Sequence, residues 1–118
     1  MVFIVGREPF FLGFERSDGS IGVRNYTVIL PTVVCAIDTV RRIAHVLGDK
    51  VKPLYHHEGC TVTPPDIELE ERVLTNLCLN PNVAGVLLVS LGCESVDSEK
   101  ICSRVADAGK PVELISIQ

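Results

Sequence analysis

Three cysteines follow predicted strands, each within a few residues of the point where the strand ends. Cys35 follows the apolar run YTVILPT (26–32), Cys60 closes the polar segment YHHEGC (55–60), and Cys93 follows VAGVLLVSL (83–91). Parallel strands end at a common edge of their sheet, and open parallel sheets bind their ligands at that edge. The sequence therefore predicts that these thiols, which are far apart in the chain, meet in space.

Thiols that converge in this way indicate a site for a soft metal ion. Thiolates need a cation to neutralise them, and cysteine is the ligand that zinc, iron and iron–sulfur clusters prefer. Three protein ligands leave one position open for water or substrate, which is typical of a catalytic site. His56 is predicted to be a ligand or general base, and Glu94 a catalytic carboxylate. Gly59 and Gly92 each precede a cysteine and let the backbone approach a bound group.

The same residues have plainer interpretations. A single cysteine at a strand end is usually a small buried residue, and Cys78 and Cys102 fall on the apolar stripes of predicted helices. Glu94 could be an acid that favours the positive end of a helix. A further alternative is a thiol enzyme in which His56 activates Cys60 as a nucleophile.

Strands and helices alternate along most of the chain. Apolar runs predict strands at 26–32, 51–56, 83–91 and 111–117, and Pro53 favours an edge position for the second. Helices are expected between them, the first ending at Gly48 and the last beginning at Ser95 or Asp97. This order predicts an α/β fold: a three-layer, Rossmann-like open sheet of about four parallel strands with helices on both faces. Residues 1–25 are expected to form an entry segment that could add an edge strand, and residues 26–118 the α/β domain.

The helix predicted within 63–80 illustrates how the apolar pattern assigns faces. Thr63 is a candidate cap, and the acidic residues of the first turns suit the positive end of the helix dipole. Four residues at helical spacing are predicted to form its buried stripe. They are Ile67, Leu74, Leu77 and Cys78.

Composition narrows the class of protein. The chain has 118 residues, a formal net charge of −4 and no basic block, so nucleic acid is not an expected partner. No apolar run is long enough to span a bilayer. Five cysteines, an odd number, favour a reduced, cytoplasmic setting over a disulfide scaffold. Hydrophobic residues make up 47% of the chain, which favours docking to another domain and a homo-oligomer.

Longer motifs resemble a known enzyme family. GFERSDGSIGVRNYTVILPTVVCA (13–36), HHEGC (56–60) and NPNVAGVLLVSLGCES (80–95) are similar, in order, to segments of the altronate and galactarate dehydratases. That family also includes the large subunit of sulfolactate sulfo-lyase. The resemblance covers the chain from about Gly13 to its end, and it is specific for the family but not for the substrate.

The resemblance implies a carbon–oxygen lyase that eliminates water from a sugar acid or related hydroxy acid with an iron centre. It implies Fe²⁺ or an iron–sulfur cluster held by Cys35, Cys60 and Cys93, with His56 and Glu94 as catalytic groups. Arg24 and Asn25 would bind the substrate. The catalytic part of such enzymes is several times longer, so this chain is expected to be inactive alone. The isolated chain is not required to bind metal, because the remaining domain or subunit could be needed to complete the site. The alternative function is a non-catalytic metal-binding or interaction domain.

Overall fold

The computed structural model describes residues 2–4 and 10–118. Its strands are Val2–Ile4 (β1), Phe11–Glu15 (β2), Ile21–Gly22 (β3), Tyr26–Pro31 (β4), Lys52–Pro53 (β5), Val83–Ser90 (β6) and Val112–Ser116 (β7). Its α-helices are Ile37–Leu47 (α1), Asp66–Leu79 (α2) and Ser98–Asp107 (α3). None of the helices in the described ranges is long and apolar enough to cross a membrane.

The main sheet has four parallel strands in the order β5-β4-β6-β7. Leu88 of β6 lies beside Leu30 of β4 and Leu114 of β7. The chain moves outward from β4 to β5 and then crosses back to β6, so the direction of winding reverses between β4 and β6. Loops at the carboxyl ends of these two central strands diverge there and leave the crevice in which open parallel sheets bind ligands.

Alternate residues of the central strands face different helices, which confirms the predicted three layers. Leu30 and Leu88 pack with Ile101 in the core beneath α2 and α3. Ile29 and Val89 pack with α1 on the opposite face. Burying such side chains contributes about 1.5–3 kcal/mol each, and both faces of a parallel sheet normally need this cover.

Helix α1 covers only part of its face. Val89 pairs with Ile115 in register, so Ile115 points to the α1 side of the sheet, yet it is 38% exposed. Ile117, two residues further on, is 37% exposed. A shallow groove of about 550 Å³ lies at the beginnings of β6 and β7, where Gly85, Leu87 and Glu113 line it. This bare strip of β6 and β7 lacks a covering layer within the described residues.

The entry segment forms strands, but they do not extend the parallel sheet. β2 pairs antiparallel with β1 and β3 in a separate small sheet, where an edge strand of the main sheet was predicted. Arg16 ties this unit to the main domain: its Nε donates to the carbonyl of Pro81 at 2.7 Å. The part of the predicted entry segment at residues 1 and 5–9 lies outside the described residues.

Helix ends follow the predicted local chemistry at two places. Gly48, with φ of 59°, ends α1 in a conformation that favours glycine. Asp97 caps α3, its side chain accepting a hydrogen bond from the N–H of Lys100 at 2.9 Å. At α2, Thr63 contributes its carbonyl, which accepts from Asp66 N at 2.8 Å, while no side chain caps the helix.

The predicted buried stripe of α2 is partly wrong. Leu74 and Cys78 are buried as expected, but Leu77 is 42% exposed. Glu70 and Glu71 are buried instead. The helix is rotated because it packs on the sheet and on α3 at once, and the sequence pattern by itself cannot reveal the second contact.

Candidate functional site

The three strand-end cysteines lie in neighbouring loops at the carboxyl edge of the sheet. Cys35 sits in the 3₁₀ turn Val34–Ala36 that joins β4 to α1. Cys60 lies in the irregular segment between β5 and α2, and Cys93 in the one between β6 and α3. All three thiols are free and belong to exposed residues. The loops of Cys35 and Cys93 flank the crevice between β4 and β6.

Hydrogen bonds join these loops to one another. The N–H of Val34 donates to the carbonyl of Glu58 at 2.8 Å, which links the Cys35 turn to the Cys60 segment. The N–H of Val62 donates to Ser95 Oγ at 3.2 Å, which links the Cys60 segment to the Cys93 segment. These two bonds therefore connect the three loops to one another.

Glu94 links the Cys93 loop to the end of β4. Thr32 Oγ1, at the end of β4, donates to Glu94 Oε1 at 2.8 Å, and the N–H of Gly92 donates to Oε2 at 2.6 Å. Burial of the carboxylate acts to raise its pKa, but the N–H of Glu94 itself and the hydrogen bonds from Thr32, Gly92 and Leu91 outweigh burial and lower the pKa. Glu94 is therefore a fixed carboxylate that stays ionised at neutral pH.

The thiol of Cys93 is surrounded by groups that disfavour its thiolate. Partial desolvation raises its pKa, and the neighbouring Cys60, Cys35 and Glu94 raise the pKa further through their negative charge. Each of these groups therefore lies close enough to the Cys93 thiol to influence it electrostatically, and the metal-binding role of the three thiols stays a prediction.

The chemistry of this donor set fits a soft, positively charged group. Three thiols beside an ionised carboxylate repel one another once they lose protons, and a bound cation would remove that repulsion. Within residues 2–4 and 10–118, no three histidine, cysteine or acidic side chains already stand in an arrangement that could hold a metal ion. Binding would therefore require the exposed thiols to rotate toward a common centre.

His56 lies at the same edge, but both of its ring nitrogens face the backbone. Nε2 is 2.7 Å from the carbonyl of Pro31, and Nδ1 accepts from the N–H of Glu58 at 3.2 Å. This pattern requires a neutral ring with its proton on Nε2. The ring thus holds the Cys60 segment against the end of β4, and neither nitrogen is free to take a proton from Cys60. The thiol-nucleophile alternative consequently lacks its base.

Arg24 and Asn25 do not reach this edge. They directly precede β4, whose six residues span about 20 Å, and the thiols follow its other end. Arg24 donates to the carbonyl of Val23, and Asn25 Oδ1 accepts from Arg16 Nη1. A small hydroxy acid at the thiols of one chain could not contact Arg24 or Asn25 of the same chain, so their assignment to the substrate stays a prediction.

The other two cysteines behave as small hydrophobic residues. Cys78 is fully buried, and desolvation raises its pKa to about 12. Cys102 packs against the same core, and burial likewise raises its pKa.

Sequence reasoning missed two hydroxyls that organise the site. Thr32 and Ser95 bond across loops that are distant in sequence. Their positions one residue past β4 and two residues past Cys93 offered a weak signal, since hydroxyls at strand ends commonly bond to loop backbone.

The chain is similar to known proteins over most of its length. Residues 13–118 match the model of the second domain of D-galactarate dehydratase/altronate hydrolase. The chain is 34% identical to altronate dehydratase of Bacillus subtilis over 92% of its own length and 24% of that relative. It is 32% identical to (2R)-sulfolactate sulfo-lyase subunit beta of Chromohalobacter salexigens, over 87% of the chain and 26% of the subunit.

A third relative is galactarate dehydratase (L-threo-forming) of Escherichia coli, which is 30% identical over 91% of the chain and 23% of the enzyme. No solved structure matches the chain. The chain spans about a quarter of the length of these relatives. With the matched region extending from the entry strands through β7, the chain belongs to the D-galactarate dehydratase/altronate hydrolase family, as a second domain of that family.

Proposed function

We propose that this domain supplies the thiol-bearing wall of the active site in a hydro-lyase that dehydrates a sugar acid or related hydroxy acid. The observation that carries the proposal is the set of three loops, joined by hydrogen bonds, that gathers Cys35, Cys60, Cys93 and Glu94 at the crevice between β4 and β6. The names of the dehydratase relatives support the reaction class.

The metal in this proposal is iron, as Fe²⁺ or in a cluster, held by Cys35, Cys60 and Cys93. Bound iron with an open position would supply a Lewis acid for the oxygen atoms of the substrate. The three thiols would rotate inward to reach it and would lose their protons, which the cation favours. The donor chemistry supports iron or zinc equally, and the resemblance to iron-dependent lyases favours iron.

Dehydration of a 2,3-dihydroxy acid requires removal of the weakly acidic proton beside the carboxylate and departure of hydroxide. Glu94 is the group in this domain suited to accept that proton, because its carboxylate is ionised and rigidly held. His56 would act by fixing the Cys60 segment in place; a role as acid or base would first require its bond to Pro31 O to open. The remaining catalytic groups would come from other parts of the enzyme.

A larger assembly is part of the proposal. The bare strip of β6 and β7 offers an apolar surface for another domain or subunit of the enzyme or for a second copy. Arg24 and Asn25 lie too far from the thiols of their own chain, so they would contact substrate only at the thiols of a neighbouring copy. Their predicted role in substrate binding therefore favours a homo-oligomer. We place the enzyme in the cytoplasm, where five free cysteines would remain reduced.

A non-catalytic metal-binding or interaction domain is the second candidate. The same bare strip favours it, since an apolar face suits docking whether or not the assembly is an enzyme. The two candidates predict different outcomes when this chain replaces the matching segment of the Bacillus subtilis altronate dehydratase. Dehydration of altronate by that chimera would support the lyase.

Metal content tests the site itself. Protein purified without oxygen and given Fe²⁺ should retain iron, and Cys60→Ser should lose it. Cys102→Ser, which changes a thiol that packs in the core instead of the site, is the matched control and should retain iron. Iron retained equally by Cys35→Ser, Cys60→Ser and Cys93→Ser would contradict the ligand assignment.

A further inference from the structure

We propose that Cys60 and Cys93 form a reversible disulfide with each other, and that their oxidant is a small-molecule disulfide. The pair is thus a redox modification site at the carboxyl edge of the sheet, with Cys35 remaining a free thiol. The proposal depends on the positions of the loops and holds whether or not the site binds iron.

The first argument is the alignment of the two loops. Val62 and Ser95, each two residues after one of the cysteines, are joined by a hydrogen bond of 3.2 Å. This bond holds the two segments side by side close to the cysteines. Of the two other thiols, Cys60 raises the pKa of Cys93 more than Cys35 does, as expected for the nearer neighbour. Both residues are exposed, so a small oxidant can reach either sulfur.

The second argument explains why Cys35 is not the preferred partner. Cys35 sits in a 3₁₀ turn between fully buried Val33 and Ala36, and the turn runs directly into α1. Its backbone is therefore fixed by the core. Cys60 and Cys93 lie in irregular segments, 54–65 and 91–97, that carry no long strand or helix. A disulfide requires Cα atoms about 4.4–6.8 Å apart, and these two segments can adjust to that distance.

Gly92 contributes to this adjustability. Its φ is 103°, and a Cβ placed on it would meet only the side-chain end of Gln118 at 3.8 Å. The backbone before Cys93 therefore has a conformation that glycine adopts freely, and its restraint is the hydrogen bond from the Gly92 N–H to Glu94 Oε2.

The reaction is thiol–disulfide exchange and balances without other reagents. One cysteine thiolate attacks a sulfur of the small-molecule disulfide, forms a mixed disulfide and releases one small thiol. The second cysteine then attacks the protein sulfur of the mixed disulfide and releases the other small thiol. Two protein thiols are oxidised to one disulfide, and one small disulfide is reduced to two thiols. An added dithiol reverses both steps.

Oxidation would disable the proposed metal site, a consequence that rests on the proposed function. A disulfide removes two of the three thiols assigned to iron, and the remaining one cannot hold it alone. Glu94 and its bonds to Thr32 and Gly92 would be unaffected, so the fold would persist while metal binding is lost.

Mass spectrometry of the full chain tests the proposal. Reduced, metal-free protein is treated with glutathione disulfide, the exchange is quenched, and the free thiols are alkylated in denaturant, where buried Cys78 also reacts. The wild type should lose two of its five alkylatable thiols and regain them with a dithiol. Cleavage at leucine and at lysine separates Cys93 from Cys78 and from Cys102 and should yield a peptide crosslinked from Cys60 to Cys93.

Three variants make the result specific. Cys35→Ser should form the crosslink like the wild type, while Cys60→Ser and Cys93→Ser should instead keep a bound glutathione on the unpaired cysteine. A principal crosslink to Cys35, a crosslink between two chains, or a stable glutathione adduct on the wild type would overturn the proposal. Metal binding is measured separately on reduced protein: if reduced protein binds no metal while the crosslink forms, the proposed function fails and this inference stands.

Discussion

Two adjacent glutamates on α2 are predicted to affect stability in opposite directions. Both are buried, but Glu71 accepts hydrogen bonds from the N–H of Asp97 and from Lys100 Nζ, whereas neither carboxylate oxygen of Glu70 has a partner among the described residues. An unsatisfied buried polar group costs about 1–3 kcal/mol. Glu70→Met should therefore raise the free energy of unfolding by about 1–3 kcal/mol at neutral pH.

Glu71→Met should lower the free energy of unfolding. Charge-assisted hydrogen bonds contribute about 1.5–3 kcal/mol, and the side chain of Lys100 is 44% exposed, which screens its share. A loss of about 2 kcal/mol is expected. Glu68→Met, on the exposed part of the same helix, is the matched control and should change little.

The pH dependence separates the two glutamates further. Desolvation raises the pKa of Glu70 above 4.5, and the negative charges of Glu58 and Glu71 raise it further. Folding therefore favours the protonated form of Glu70, and the stability contributed by that form is lost as pH rises through the pKa of the folded state. The increase in the free energy of unfolding caused by Glu70→Met should thus be larger at pH 7 than at about pH 4.

For Glu71, burial acts to raise the pKa, but Lys100, Asp97 N and Arg104 outweigh it and lower the pKa. The stability that Glu71 contributes is fully present above about pH 4.5 and is lost as pH falls through the pKa of the folded state. The decrease in the free energy of unfolding caused by Glu71→Met should therefore be smaller in acid. Urea unfolding at several pH values measures both effects. A Glu70→Met protein that is less stable than wild type at pH 7, with an unchanged denaturant slope, would refute the reasoning.

Five further substitutions test three local features by the same unfolding assay. Thr32→Val removes the donor to Glu94 and should lower the free energy of unfolding by about 1–3 kcal/mol. Thr75→Val removes a buried hydroxyl without a partner among the described residues and should leave the free energy of unfolding unchanged or raise it. Equal effects of the two substitutions would contradict the assignment. Asp97→Ala should cost about 1 kcal/mol because it removes the cap of α3, and Asp107→Ala, at the other end of the helix, should not. Cys78→Ala should cost about 1 kcal/mol through lost packing, without changing metal binding; a loss of bound metal would refute its role as a core residue.

Most of the fold could be predicted because its signals are local. The apolar runs around Leu30 and Leu88 identified the central strands, and Gly48 and Asp97 marked helix ends through their own conformational and capping preferences. The alternation of strands and helices then left a parallel sheet with right-handed connections as the natural arrangement. Convergence of the three strand-end cysteines followed from that topology.

The errors lie where two distant parts of the chain meet. The rotation of α2, which exposes Leu77 and buries Glu71, depends on Lys100 and Asp97 of another element. The separate antiparallel sheet of the entry segment depends on Arg16 reaching Pro81. A sequence pattern records the period of a helix or strand, but it does not record which neighbour will satisfy a given side chain.

The sequence by itself determined the layers of this protein, the sheet edge at which its strand-end cysteines lie, and its family, because periodicity, the alternation of strands and helices, and motifs are properties of the chain. Only the tertiary structure decided what the polar groups at that edge do. His56 turns both nitrogens to the backbone, Thr32 holds Glu94 as a carboxylate, and Arg24 lies at the far end of β4. Hydrogen bonds and charge effects act over a few ångströms, and those distances are set by the packing of segments that the sequence holds far apart.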